Sequence, residues 1–228
     1  MSEVETLEEK KMIRSCVDCA VINCDVQNRT YPKFCLTTEN SDEEVLKQSL
    51  ELYNEEENHK VMIHAANVEA EYYGILTRVE ETIQFAKRIG AKKIGIATCV
   101  GLISESRTLA SILRKKGFEV FGVACKAGAV DKTVVGIDES CKKVGVNMCN
   151  PIHQAKRLNA EHTDLNIVMG LSVGHDSLFY KYSDALVTTL VTKDRVLGHN
   201  PVAALYTANS YYKRLLEQDG RGEETKEF

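Results

Sequence analysis

The chain has 228 residues, a formal net charge of −4 at pH 7, 43% hydrophobic residues and 27% charged residues. This balance is ordinary for a folded domain with a buried core, and it excludes wholesale disorder. The acidic charge argues against non-specific nucleic-acid binding, which needs a positive field, and the apolar runs are too short to span a bilayer. We therefore expect no nucleic-acid partner and no membrane partner.

The N-terminal stretch, residues 1–15, is acidic and polar and lacks the apolar core of a signal peptide. We therefore expect a cytoplasmic protein. In a reducing cytosol, the eight cysteines would persist as metal ligands or reactive thiols rather than as disulfides. Intracellular disulfides do occur in hyperthermophiles, and composition alone leaves that source open.

Residues 1–40 form a cysteine-rich segment with little helical periodicity, and we interpret them as a metal-binding knuckle that precedes the main domain. A capping box of Ser41 with Glu44 predicts a helix over 42–57, and apolar spacing predicts a second helix over 61–72. Thr77 and Glu80 form another capping box, which predicts a third helix ending at Gly90. We expect residues 41–90 to be a helical segment packed on the core.

From residue 91 onward, short apolar runs alternate with helical patterns. The predicted strands cover 93–98, 118–124, 165–173 and 185–192, and the predicted helices cover 105–116, 150–159 and 201–216. Strands that are apolar almost throughout and alternate with helices indicate a parallel sheet covered on both faces. The sequence thus predicts an α/β fold, with a Rossmann-like three-layer core and a mostly parallel sheet over 91–216, followed by a disordered tail over 217–228.

Four cysteines lie within twenty residues of the knuckle: Cys16, Cys19, Cys24 and Cys35. A Cys-x-x-Cys loop lets two thiolates reach one metal, and two further thiolates complete a tetrahedral shell. Iron–sulfur clusters use the same ligands, and the spacing matches no single zinc-finger class, so Zn²⁺ and a [4Fe–4S] cluster both stay open. The alternatives are ordinary buried cysteines, a disulfide, or a redox dithiol of Cys16 and Cys19.

Three further cysteines occupy equivalent places in the predicted sheet. Cys99 follows the first strand, Cys125 follows the second, and Cys149 precedes the helix that leads to the third. The carboxyl ends of parallel strands form the crevice where such folds bind ligands, and the third strand delivers His175 and Asp176 to the same edge. The pattern therefore predicts that these side chains converge on one site.

Three thiolates leave one coordination position open, which suits a metal that does chemistry. We predict that Cys99, Cys125 and Cys149 hold a [4Fe–4S] cluster with one exchangeable iron, or less specifically a Zn²⁺ ion. His175 and Asp176 would then be catalytic acid–base or substrate-orienting groups, acting on a small-molecule substrate or with an electron donor. The competing interpretation is that each cysteine is a small buried hydrophobe at a strand end.

Two neighbouring features complete this prediction. Lys126 could lower the pKa of a thiol or hold an anion, and Cys141 is interpreted as a spare thiol or a fourth ligand in a mobile loop. The glycines near Cys99 lack the G-x-G-x-x-G spacing, which disfavours a dinucleotide cofactor.

Several motifs together resemble an uncharacterised cysteine-rich metal-binding protein family of archaea and anaerobic bacteria. They are CVDCAVINC, ATCVGL, VACKAG, MCNPIHQAKRLN, LNIVMGLSVGHDSLFYKYSDA and KDRVLGHNPVAALY, and they extend over most of the chain. The resemblance implies metal binding without a known reaction. It also implies a cysteine at the position of Ser172, where this chain departs from the family pattern, which argues against a fourth thiolate at the sheet edge.

The sequence therefore predicts a metal-binding protein with one or two [4Fe–4S] clusters, in which the edge site acts on a small molecule. The alternative is a non-enzymatic zinc protein with a structural or sensing role. A third hypothesis is a thiol-redox enzyme whose nucleophile is Cys125 or Cys149.

Overall fold

The structure is a computed structural model that describes residues 13–25, 30–38 and 41–217. The chain divides into two compact units, with the boundary between Ile63 and His64. The predicted tail over 217–228 lies outside the described residues except for Glu217.

The first unit contains two short 3₁₀ turns, Cys16–Asp18 and Asn23–Asp25, and helix α1, Glu43–Leu52. The N-cap of α1 is Asp42, whose side chain accepts a hydrogen bond from the N–H of Val45 at 3.0 Å. The predicted capping box of Ser41 with Glu44 is therefore wrong by one residue.

Helix α2, Glu56–Tyr72, spans the boundary between the two units and begins five residues before its predicted start. The first helix ends earlier than predicted, at Leu52, whose carbonyl oxygen accepts hydrogen bonds from the Glu55 N–H at 3.2 Å and from Asn58 Nδ2 at 3.0 Å. These bonds satisfy a carbonyl at the end of α1.

The second unit is built on a sheet of four parallel strands with the order β2-β1-β3-β4. This confirms the predicted α/β fold with a parallel sheet. The strands are β1 Lys93–Thr98, β2 Glu119–Ala124, β3 Leu165–Met169 and β4 Leu186–Val191. The helices are α3 Arg78–Arg88, α4 Ile103–Lys115, α5 Pro151–Ala160, α6 His175–Tyr182 and α7 Val202–Tyr206.

Alternation along the strands produces two apolar faces, each covered by helices. On one face, Ile94 and Ile96 of β1 and Ile167 of β3 pack with buried residues of α3 and α4, including Ile83 and Leu113. On the other face, Ala97 and Val168 pack with Ala155 and Leu158 of α5 and with Phe179 of α6. The core therefore has the three layers that the sequence predicts.

The start of α3 follows the sequence closely. Thr77 and Glu80 form the predicted capping box, and the N–H of Thr77 donates to Glu80 Oε2 at 2.9 Å. Acidic residues in the first turn and basic residues in the last turn also suit the helix dipole.

Two predictions near the C-terminal half are wrong. Strand β3 ends at Met169 because Gly170 adopts φ +65°, and a separate helix, α6, forms over residues for which the sequence predicted no element. The predicted helix over 201–216 is α-helical only at Val202–Tyr206. Beyond Thr207 the backbone bonds no longer follow the helical i→i−4 pattern: the Ala208 N–H donates to the Leu205 carbonyl at 3.2 Å, and the Ser210 N–H donates to the Thr207 carbonyl at 3.0 Å.

Among the described residues, no helix combines the length and the apolar character that crossing a membrane would need.

Candidate functional site

The sheet register places Cys99 and Cys125 side by side. Thr98 pairs with Ala124, and each cysteine is the next residue along its chain. The Cys99 N–H donates to the Met169 carbonyl at 3.1 Å and the Cys125 N–H donates to the Thr98 carbonyl at 2.8 Å, so both ladders continue one residue beyond the strands. Alternation then points both thiols to the face covered by α5 and α6, where both are buried.

Cys149 reaches the same face from the start of α5. Its neighbour Asn150 is the N-cap of α5, with a side chain that accepts a hydrogen bond from the His153 N–H at 3.0 Å. The Asn150 N–H donates to the Cys125 carbonyl at 2.8 Å, which ties the start of the helix to the end of β2. As a result, the Sγ atoms of Cys149 and Cys125 are 3.7 Å apart and share a hydrogen bond.

Cys125 interacts with both other thiols, because its Sγ is 3.7 Å from that of Cys149 and its interaction with Cys99 lowers the pKa of Cys99. Backbone N–H groups of the turn after β1 act in the same direction: that of Gly101 lowers the pKa of Cys99, and that of Val100 opposes the rise in the pKa of Cys125. Such N–H donors stabilise anionic sulfur and tune the potential of iron–sulfur centres.

Three cationic or ionisable side chains surround the thiols. Lys193, just after β4, contributes to the lowered pKa of Cys99, while His175, the first residue of α6, contributes to the lowered pKa of Cys149. Lys126 adds an electrostatic attraction for Cys149, and its ammonium donates to the Asn147 carbonyl. The thiols therefore lie in a positive environment, to which the N-termini of α5 and α6 also contribute.

The pKa values follow from these contacts. The pKa of Cys149 is lowered, first by its hydrogen bond to Cys125 and then by His175, and the pKa of Cys99 is lowered, first by Cys125 and then by the Gly101 N–H and Lys193. The pKa of Cys125 is raised because anionic sulfur on both sides and burial oppose its ionisation. Without a cation, the outer thiols ionise first and the central one keeps its proton.

His175 and Asp176 have different surroundings. The pKa of His175 is raised, mainly by its hydrogen bond to Cys149, so its protonated form pairs with the thiolate. Asp176 Oδ1 accepts a hydrogen bond from the Ser177 N–H at 2.8 Å, within the first turn of α6. His175 therefore interacts with the cluster of three thiols, through Cys149. The predicted catalytic role of His175 and Asp176 stays a prediction.

Thiolates are the ligand type that thiophilic metals prefer. Two thiolates bound 2.3 Å from one tetrahedral Zn²⁺ ion are about 3.8 Å apart, close to the 3.7 Å between Cys125 and Cys149. A four-iron cluster binds each thiolate to a different iron and separates the sulfurs further. Within residues 13–25, 30–38 and 41–217, however, no group of three or more His, Cys, Asp or Glu side chains is arranged so that it could hold a metal ion.

The other predicted ligands are not gathered in this way. The structure does not arrange Cys16, Cys19, Cys24 and Cys35 as a metal shell. All eight cysteines carry free thiols, and the exposed Cys141 lies in the 3₁₀ segment Glu139–Val144. The predicted knuckle site and the role of Cys141 therefore stay predictions.

Sequence reasoning missed two residues of the site. Lys193 would have been found by applying the rule of strand carboxyl ends to the fourth strand as well. Gln154 is a polar residue at an apolar position of α5, between Pro151 and Leu158 in the i, i+3, i+4, i+7 pattern, and it is fully buried. A polar residue at such a position is a signal in itself, because burial of an amide requires hydrogen bonds.

Fold and site together define an α/β protein with a parallel sheet and a cluster of three cysteine thiols at the carboxyl edge of that sheet. The chain belongs to the family described as Protein of unknown function (DUF1847), whose model matches residues 35–190. It is also 48% identical over 185 residues to a protein named "Uncharacterized protein MJ0455" from Methanocaldococcus jannaschii, which covers 81% of this chain and 95% of that relative. The expectation of an uncharacterised family with archaeal members is confirmed.

The range that the family model matches contains all three edge cysteines, Cys99, Cys125 and Cys149, and also His175. It begins at Cys35 and so leaves out Cys16, Cys19 and Cys24. The edge thiols therefore lie in the part of the chain that defines the family, and most of the knuckle cysteines lie outside it.

Proposed function

We propose that the protein binds a metal at the carboxyl edge of its sheet, with Cys99, Cys125 and Cys149 as ligands. The observation that carries this proposal is that three thiols from three separate segments come together: the sulfurs of Cys125 and Cys149 are 3.7 Å apart, and Cys99 belongs to the same buried cluster. Charge supports it as well: three adjacent thiols cannot all ionise alone, and a metal cation that displaces the proton of Cys125 removes the repulsion.

Two metal centres compete for this site. Cysteine number and the order of the cysteines in the sequence suit a [4Fe–4S] cluster, as the sequence predicts. The 3.7 Å spacing of Cys125 and Cys149, an ordinary contact between two thiols, is also compatible with two ligands of a single tetrahedral ion such as Zn²⁺. With three thiolate ligands, either centre would supply an electrophilic position for a small molecule, unless His175 completes the shell.

The chain's own residues have defined roles in this proposal. The Val100 and Gly101 N–H groups and Lys193 stabilise negative charge on the sulfurs. His175, whose pKa is raised by Cys149, would exchange a proton with a bound molecule in this proposal. We propose that the knuckle cysteines Cys16, Cys19, Cys24 and Cys35 hold a second, structural or electron-relaying centre, for which their spacing is the support.

The test is metal and acid-labile sulfide analysis of protein purified without oxygen, together with its visible spectrum. Single variants Cys99→Ser, Cys125→Ser and Cys149→Ser are each expected to lose the edge metal, and Cys125→Ser to lose it most completely. Cys141→Ser is the matched control. Cys141 is an exposed free thiol, and none of the hydrogen bonds described above joins it to Cys99, Cys125 or Cys149. Iron with sulfide would identify a cluster, and zinc alone would identify a single ion; unchanged metal content in all three variants would refute the proposal.

A second candidate function is thiol chemistry by Cys149 without a metal. The hydrogen bond between Cys149 and His175 favours it, because a thiolate paired with an imidazolium is the usual activated nucleophile. In metal-free protein, brief treatment with iodoacetamide at neutral pH should then modify Cys149 ahead of the exposed Cys141. Faster modification of Cys141 would contradict this alternative.

A further inference from the structure

One polar side chain is fully buried in the core where the two strands that lead to Cys99 and Cys125 end. Gln154 of α5 is 0% exposed, between apolar neighbours such as Ala155 and Leu158 that pack against the sheet. A buried primary amide is unfavourable unless its polar atoms find partners, so its presence at this position needs a reason.

The amide of Gln154 joins two of the thiol-bearing strands. Its Nε2 donates to the Thr98 carbonyl at 3.1 Å and to the Val123 carbonyl at 2.7 Å. Thr98 directly precedes Cys99, and Val123 lies two residues before Cys125. One side chain thus bridges the ends of β1 and β2 at the point where their thiols begin.

The third thiol is linked to the same bridge through the helix. Cys149 lies two residues before α5 begins, and Gln154 is in the first turn and a half of that helix. Because Gln154 anchors α5 to both strands, it also limits how far Cys149 can move from Cys125.

The fold alone does not account for this arrangement. The Thr98 carbonyl already accepts a hydrogen bond from the Cys125 N–H at 2.8 Å, so it does not need the amide of Gln154. Gln154 Oε1 has no hydrogen-bond partner among the described residues, which is a cost that an apolar side chain of the same size would avoid.

We infer that Gln154 is a positioning residue that sets the spacing of Cys99, Cys125 and Cys149. This inference rests on the proposed function, in which the three thiols act together on one metal. Residues that orient metal ligands without touching the metal commonly change affinity by about 10- to 100-fold when replaced.

The test uses Co²⁺ as a spectroscopic probe, because its thiolate absorption bands report how many sulfurs bind and with what geometry. Co²⁺ is titrated without oxygen into metal-free wild-type protein and into the variants Gln154→Met, which keeps the volume, and Gln154→Glu, which keeps the shape. Gln48→Met, on the exposed surface of α1, is the control. We expect both Gln154 variants to bind Co²⁺ about 10-fold or more weakly with an altered spectrum, and the control to match the wild type.

A second readout does not involve a metal. An aryl arsine oxide condenses with two neighbouring thiols, forming two As–S bonds and releasing one water molecule, so its rate of reaction reports thiol spacing. We expect the arsenical to bridge Cys125 and Cys149 faster in the metal-free wild-type protein than in either Gln154 variant. Mass spectrometry of peptides would identify the bridged cysteines and measure the rate. The thermal midpoint of metal-free Gln154→Met should stay near that of the wild type, since a merely structural residue would lower it instead.

The two proposals fail in different ways. Wild-type protein that binds no Co²⁺ would count against the proposed metal site, and the arsenical rates would still test the role of Gln154. If Gln154→Met does not fold, the comparison is made with Gln154→Leu, which likewise removes the amide without adding a buried charge. Equal Co²⁺ affinity, spectra and arsenical rates in the wild type and in the folded Gln154 variants would overturn the inference.

Discussion

At the scale of single residues, Gly95 of β1 shows how closely the sheet is packed. It pairs with Asn166 of β3, and a Cβ atom added to it would lie 1.9 Å from Asn166 Oδ1. Asn166 is fully buried and cannot move freely, because its Oδ1 accepts from Thr163 Oγ1 and its Nδ2 donates to Ser183 Oγ, each at 2.8 Å. The absence of a side chain at residue 95 therefore makes room for a buried amide network.

We predict that Gly95→Ala lowers the free energy of unfolding by about 1–3 kcal/mol, since the added methyl group displaces Asn166. Equilibrium unfolding in urea would measure the change. Gly122→Ala in the adjacent strand β2 is the control, because the nearest atom to its added Cβ would be 3.8 Å away. A loss of stability that is equal in the two variants would contradict the packing argument.

The residues of the site were predictable in proportion to how local their signals are. Cys99 and Cys125 directly follow strands, so the strand pattern alone placed them together. Gln154 acts through carbonyl groups that are 56 and 31 residues away in the chain, and no local pattern encodes those contacts. Its signal was its polarity at a buried helix position, which periodicity analysis ordinarily treats as noise.

At the scale of elements, the segment between β2 and α5 has its own fastening. Asp131 is the N-cap of the 3₁₀ turn Lys132–Val135, and it pairs through an isolated bridge with Asn147. Its Oδ1 accepts hydrogen bonds from the Thr133 N–H at 2.9 Å and from Thr133 Oγ1 at 2.7 Å, and Lys142 lies 2.9 Å from Oδ2. The two ends of the segment are thus held together shortly before Cys149.

These contacts lower the pKa of Asp131 from 3.8 to about 2, chiefly through the Thr133 N–H and then through Thr133 Oγ1 and Lys142. A lowered carboxyl pKa contributes stability that is fully present above pH 3.8 and is lost as the pH falls toward 2. We predict that NMR titration of the Asp131 carboxyl carbon gives a midpoint near 2, and that Lys142→Met moves the midpoint upward. A wild-type midpoint near the ordinary value would mean that these bonds do not persist in solution.

The elements themselves were predicted best where a buried strand or a capping box marked them. All four strands and the start of α3 belong to this group, because their signals are apolar runs and a reciprocal cap. Helix α6 has a single buried residue, Phe179, so it carries too little periodicity to be found. The last predicted helix is wrong beyond Tyr206, where turns with i→i−3 backbone bonds replace the regular helix.

At the scale of the whole molecule, the structure separates the two sets of cysteines. The two apolar clusters of the sheet and the edge thiols all belong to the second unit, whereas Cys16, Cys19, Cys24 and Cys35 belong to the first. Each set can therefore be studied without the other.

We predict that a fragment of residues 56–217, which keeps all of α2, folds cooperatively and retains the edge site. It should bind the edge metal with an affinity within a few-fold of that of the whole chain, and it should lack any metal held by the knuckle. Metal analysis and thermal unfolding of the fragment and the full chain would measure this. A fragment that folds and binds no metal would show that the edge site depends on the first unit.

The continuation of the sheet ladders through Cys99 and Cys125 also determines which changes in chain length the protein can tolerate. Successive residues of a strand face opposite sides, so one residue inserted between Thr98 and Cys99 would turn that thiol away from its partners. Residues 132–146 are outside the sheet, and insertions there would leave the facing of all three thiols intact. We therefore expect insertions and deletions among relatives to occur in that segment. We expect none at the junctions between the strands and the cysteines that follow them.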